Sequence, residues 1–170
     1  MALPRDIRRL AFQALFQLDV RGDAELDSVK SSINSEGEFQ PKDIEKAVEL
    51  AQAAYVARAA ADAAMLELAP TWPAYRQAAV DRAILRLAHF EMTSGRTSPK
   101  IAVNEAVELA KRYSTEKSPG FVNALLDKIL KKVLASQSAQ RPADLPASDQ
   151  PPEGDQAQAE SDAPPPPPHP

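Results

Sequence analysis

Near the start of the chain, Arg5, Arg8 and Arg9 are followed at helical spacing by Phe12 and Phe16. These residue types have a definite chemistry. Guanidinium groups bind phosphate oxygens bidentately and stack on planar bases. Aromatic rings offer a platform for a base or an apolar contact for a protein. On a helical wheel with Ile7 at the origin, Leu3, Leu10, Ala11, Ala14, Leu15 and Leu18 gather around Ile7, whereas Arg5, Arg8, Arg9, Phe12 and Phe16 fall on the other side. Periodicity leaves two readings of that second face open. It is a surface for a nucleic acid and a protein partner, or its phenylalanines are buried against the C-terminal half while its arginines cap acids there.

A second candidate surface lies at Lys117–Phe121. Ser118-Pro119 has the signature of a helix start, where amides such as those of Gly120 and Phe121 and the helix dipole favour an anion. Gly120 would let a backbone approach, and Lys111 and Arg112, ending the preceding segment, would add charge. The plain alternative is a helix cap with no ligand. No arrangement for catalysis is found: the sequence has no Gly-rich phosphate loop, HExxH or GxSxG, and no cofactor or metal site is expected. His89 reads as a packing or surface residue. Glu91, Glu105 and Glu108 read as a mostly solvated face with Arg82, Arg86, Lys111 and Arg112 as ion-pair partners, and Asn104 and Asn123 as hydrogen-bonding a loop or a helix end.

The elements that must position these residues are helical. Val80, Ala83, Ile84, Leu87 and Ala88 recur at three- and four-residue steps, as do Ala102, Ala106, Leu109 and Tyr113, and Phe121, Val122, Leu125, Leu126, Ile129 and Val133. Ser98-Pro99 and Ser118-Pro119 open the second and third of these segments as N-cap and first helical residue, and Gly95 follows the first. Upstream, the spacing predicts a helix over about 4–20 ended by Gly22, a short helix within 23–35, a turn at 35–38, and one long Ala-rich helix over 41–69 with Ile44, Val48, Ala51, Tyr55, Met65 and Leu68 on its buried stripe.

The chain has 170 residues and no cysteine, which excludes disulfides and thiolate chemistry. No apolar run is long enough to cross a membrane, and the start does not read as a secretory signal, so a cytoplasmic protein is expected. The net charge of −4 conceals a balance of +1 over residues 1–136 and −5 beyond, where ten of the sixteen prolines also lie. Neither value announces a nucleic-acid binder, so that case rests on local clustering. From about residue 136 on, a disordered acidic, proline-rich tail is expected, because it has too little apolar surface to offset its ordering entropy.

The strings RRLAFQALFQLD, DRAILRLAHFE, AVNEAVELAKRY and FVNALLDKIL resemble, in that order, the NusB family of bacterial transcription antitermination factors, over about residues 5–134. The resemblance implies an all-α fold of two packed helical subdomains, about 4–69 and 72–135. It implies binding of boxA-like single-stranded RNA jointly with the ribosomal protein NusE, in a complex with RNA polymerase that supports transcription of ribosomal RNA operons, without catalysis. By matching strings it points to Arg5, Arg8, Arg9, Lys117 and Phe121, beside Gly120, for RNA. It points to Phe16 and Asp81, with Phe12 beside them, for the partner. Neutralising Arg8 and Arg9 together is then expected to weaken RNA binding and flatten its salt dependence. Three departures stand out: Asp6 sits among the arginines, Arg9 stands where an acid is common, and Gly120 stands where Lys is common. The alternative is a helical protein–protein adaptor without RNA binding of its own. An RNA-modifying enzyme fits poorly, since no cofactor-binding α/β region is in view.

Overall fold

A computed structural model describes residues 4–35, 37 and 39–139. Leu3, part of the predicted turn at 35–38 and nearly all of the predicted proline-rich tail lie outside the described residues. Within them the chain is all-helical: α1 (Arg5–Arg21), α2 (Leu26–Asn34), α3 (Pro41–Val56), α4 (Arg58–Leu68), α5 (Ala79–Thr93), α6 (Pro99–Tyr113) and α7 (Ser118–Ala139), with short 3-10 turns at Asp23–Glu25 and Ala74–Arg76.

α1 packs on α2, α3 and α5, and α5 in turn carries α4, α6 and α7. Gly22 ends it at φ +87°, a conformation that L side chains rarely adopt, and the chain doubles back into α2. From Ile7 to Asp19 no residue of α1 is exposed. Leu10, Ala14, Leu15 and Leu18 are sealed among α2, α3 and α5, and each buried leucine contributes roughly 2 kcal/mol. The same core continues through Ile44, Val48 and Ala51 of α3, Ile84 and Leu87 of α5, Ala102 and Ala106 of α6, and Val122, Leu126 and Ile129 of α7.

Buried charge sets the direction of packing. Both α1 and α5 carry a base-then-acid or acid-accepting pattern that matches only when the helices run antiparallel. Near its start α1 places Arg8 against Glu91 at the end of α5. Near its end it places Asp19 against Arg82 and Arg86 at the start of α5. Run parallel, Arg8 would face two arginines. Asp62 of α4 takes the other side of the Arg86 guanidinium with bonds of 2.8 and 2.7 Å, which fixes α4 on α5. Burial alone would push the Asp19 carboxyl up, but the hydrogen bonds and charges of Arg82 and Arg86 outweigh it and hold it below its usual range.

Several local expectations need correction. The long Ala-rich helix is broken at Ala57 into α3 and α4. Arg58 steadies the break by donating to the Tyr55 carbonyl at 2.6 Å while lying over the Tyr55 ring. Ser98 stands at the N-cap position of α6 but makes no side-chain cap hydrogen bond. Asn104 and Asn123 are exposed rather than tied to a loop or helix end. Gly95, just past α5, has the expected left-handed backbone at φ +69°. α7 runs on to Ala139, past the composition change near residue 136.

Candidate functional site

The residues singled out at the start of α1 do not act as one face. Arg8 and Arg9 are neighbours in sequence and opposites in environment. Arg8 is 2% exposed. Its Nε and Nη2 donate to the Glu91 carboxylate at 2.9–3.0 Å, its Nη1 lies 3.6 Å from Glu105, and Thr97 adds a 2.9 Å bond to Glu91 from the α5–α6 connection. A buried guanidinium needs such partners, because a lone buried charge is prohibitive. This corrects the wheel reading: Arg8 faces inward onto carboxylates and is not presented to a phosphate. Phe12 is likewise buried, 3% exposed, with its ring 5.2 Å from that of Tyr113. Here the reading of phenylalanines buried against the C-terminal half is the right one.

Arg5 and Arg9 stay at the surface. Arg5 is mostly exposed and donates to Glu105 at 3.0 Å. Arg9 is partly exposed, lies over the Phe39 ring at 5.4 Å and reaches Asp6 at 3.4 Å. Together they line a groove of about 330 Å³ between α1 and α6, whose far wall carries Glu105, Glu108, Leu109, Lys111 and Arg112. Glu108 pairs with Lys111 at 2.7 Å rather than with Arg112 four residues on. The groove therefore holds four bases, Arg5, Arg9, Lys111 and Arg112, against three acids, Asp6, Glu105 and Glu108.

Further along α1 the surface turns apolar. Phe12, Gln13, Phe16, Gln17, Val80 and Tyr113 line a second groove of about 260 Å³. Phe16 is only partly buried there, in keeping with the wheel. Large apolar side chains stand exposed near this end of the molecule, among them Val20, in the last turn of α1, and Tyr75, in the segment that Arg82 holds through the Ala74 carbonyl while pairing with Asp19.

Asp81 does not face outward. It is 8% exposed, and its two oxygens accept from Ser114 at 2.5 Å and Ser118 at 2.9 Å, with Ser114 also bonded to Ser118. This corrects its expected place on a partner surface. Asp81 ties the first turn of α5 to the connection from which α7 starts. Ser118, expected to cap α7, is instead its buried first residue and serves that network. The Phe121 amide, expected to be available to an anion, donates to the Lys117 carbonyl at 3.3 Å. Lys117 and Gly120 are exposed and Phe121 is half-buried, so side chains rather than that amide are what this end of α7 offers. A Cβ at Gly120 would meet nothing within 4 Å.

His89 is buried beside α4 and α7, and burial holds its imidazole below the usual range while the Asp62 charge opposes the shift. Among the described residues no group of three or more His, Asp or Glu side chains is placed to hold a metal ion, and no helix is long and apolar enough to cross a membrane. What sequence reasoning missed was the role of α6. Tyr113 lines the second groove with its ring against Phe12, and Phe39 backs Arg9. Periodicity placed Tyr113 on the apolar stripe but gave no signal for its contact with Phe12, and Phe39 had no signal beyond being aromatic in a loop.

Residues 5–131 match the model of the NusB family. The transcription antitermination protein NusB of Kineococcus radiotolerans is 38% identical over 139 residues, covering 80% of this chain and all of that protein. Among solved structures, T. maritima NusB superposes with a TM-score of 0.64 at 32% identity, over 78% of this chain and 94% of its own. A NusB solved with NusE and double-stranded RNA superposes with a TM-score of 0.66 at 26% identity, over 75% of this chain and 96% of its own. A match along nearly the whole described chain, together with the shared all-helical fold, shows that this chain belongs to the NusB family.

Proposed function

We propose that this protein is a transcription antitermination factor that binds boxA-like single-stranded RNA together with NusE, serving the transcription of ribosomal RNA operons in the cytoplasm without catalysing a reaction. The observation that carries this reading is the adjacency of two unlike grooves along one helix. The first is edged by Arg5, Arg9, Lys111 and Arg112, and the second by Phe12, Phe16, Val80 and Tyr113. Cations neutralise phosphates and release counterions, whereas a half-buried apolar groove with Val20 and Tyr75 exposed near it suits a protein. In this reading Arg5 and Arg9 contact the RNA backbone and Lys117 adds charge. Phe121 offers a ring edge beside Gly120, and NusE docks over Phe16 and Val80 toward Val20 and Tyr75. Arg8, Phe12 and Asp81 act from inside, by fixing α1 on α5 and α6 and setting where α7 begins. The likeness to a NusB solved with NusE and double-stranded RNA supports RNA and NusE as the partners.

One observation favours the adaptor alternative. Arg5, Arg9 and Lys111 each have a carboxylate nearby, so the groove carries little net positive charge and RNA affinity leans on the partner. A fluorescence titration of labelled boxA-like RNA with the full chain, with and without NusE, tests both readings. NusE is expected to raise the affinity many-fold. NusE binding with no RNA binding in either titration would establish the adaptor instead.

A further inference from the structure

Of the four bases that line the groove between α1 and α6, three are already engaged: Arg5 with Glu105, Arg9 with Asp6 and Lys111 with Glu108. Arg112 differs. It is exposed, it has no ion pair among the described residues, and its guanidinium lies over the Tyr113 ring, 5.4 Å from the centroid. Tyr113 is in turn held against Phe12 of α1 at 5.2 Å. The side chain is thus backed by a ring that the core itself holds in place.

Position adds to this. Glu105, which faces Arg5, and Arg112 are two turns apart on α6, roughly 10 Å along the helix axis. Beyond Arg112, Ser114 is bonded to Ser118, so the end of α6 is tied to the first turn of α7 beside Lys117 and Phe121. Arg112 therefore stands between the two patches on which the proposed RNA reading rests. A base near a helix C-terminus is favoured by the dipole, and Lys111 satisfies that preference equally. The dipole does not account for a guanidinium laid on a half-buried ring with no carboxylate paired to it among the described residues.

We infer that Arg112, oriented by Tyr113, is a further RNA contact that joins the groove between α1 and α6 to the start of α7, making one continuous track for a single strand. The inference rests on the RNA reading above. An arginine on a ring keeps a planar face and a fork of donors, which suit a phosphate or a base edge. A lysine there would keep only the charge.

The test is a titration of the full chain, with NusE present, against a boxA-like RNA oligonucleotide at several salt concentrations. The variants are Arg112→Ala, Arg112→Lys, Arg5→Ala and Lys132→Ala, the last removing the same charge from a base that pairs with Glu67 on α4. Arg112→Ala is expected to weaken binding roughly three- to tenfold and to lower the logarithmic salt slope by about 0.7, the loss of one phosphate contact on a single strand. Arg112→Lys is expected to keep the slope while recovering only part of the affinity. Lys132→Ala is expected to change neither. If Arg112→Ala behaves as Lys132→Ala does while Arg5→Ala weakens binding, this inference is overturned and the RNA reading stands. If the unaltered chain binds no RNA even with NusE, both fall.

Discussion

α1 has two kinds of neighbour, and they use arginine in opposite ways. Toward α5 its charges are sealed: Arg8 on Glu91 at one end and Asp19 on Arg82 and Arg86 at the other, each with low exposure and bonds of 2.6–3.0 Å. Toward α6 its charges are loosely held: Arg5 and Arg9 touch acids across or beside an open groove. The inner pairs set geometry and are costly to break, because removing one partner strands a buried charge. The outer pairs contribute little to stability, since solvent screens them, and they can exchange an acid for a phosphate. A residue type therefore says little about role in this fold. Depth and the number of carboxylates within reach decide it.

The comparison breaks most visibly at Arg8. Arg8→Ala leaves the Glu91 carboxylate buried without its charge partner and should cost about 3–5 kcal/mol. It should be read as a large fall in melting temperature, while the salt slope of RNA binding, measured well below that temperature, stays at the unaltered value. A slope reduced as much as by Arg5→Ala would return Arg8 to the phosphate-contacting set. Next in size is Asp81→Ala, which removes the acceptor for Ser114 and Ser118 and should cost about 1–3 kcal/mol in urea unfolding. Its effect on NusE binding should be no larger than that loss of stability explains.

Acidification sharpens the inner half of the comparison. His89 has its pKa lowered from 6.5 by burial, so below that pH the unfolded chain binds a proton that the fold resists, and stability falls. Asp19, held below 3.8, contributes stability that is complete above that value and is lost as pH falls through the depressed one. Unfolding midpoints between pH 7 and 3 should therefore decline in two stages, and His89→Gln should remove the first. The smallest effect is expected on the outer surface. Gly120→Lys adds a Cβ that meets no neighbour within 4 Å, so it should leave the melting temperature nearly unchanged while steepening the salt slope of RNA binding by about 0.7.

Much of the architecture was legible in the chain. The apolar stripes at 80–88, 102–113 and 121–133 and the breaks at Gly22, Gly95 and Pro99 stand where periodicity and punctuation put them. The division at Ala57 was not legible, because no Gly or Pro marks it and alanine favours a helix throughout. What marks it is the Arg58 bond to the Tyr55 carbonyl, which helix propensity does not foretell. Of the site, Arg5, Arg9 and Phe16 could be placed on an outer side of α1 from the wheel. Arg8 and Phe12 could not, because a wheel assumes one buried arc and α1 is enclosed on most of its circumference. Their partners, Glu91 and Tyr113, stand 83 and 101 residues further along. Asp81 was misread for the same reason: its serines come from a connection between helices that no local pattern ties to α5.

Those long separations bear on how the molecule is made. Ribosomes deliver the amino end first, so the first helix emerges with its inward guanidinium and carboxylate unmatched, and remains so until the segment through Glu91 has been synthesised. Its leucines can pack on α2 and α3 as those emerge, but both charged ends wait for α5, so full consolidation comes only after most of the polypeptide is out. A nascent chain arrested before residue 91 should accordingly be protease-sensitive along its first helix, and one released just past residue 130 should not.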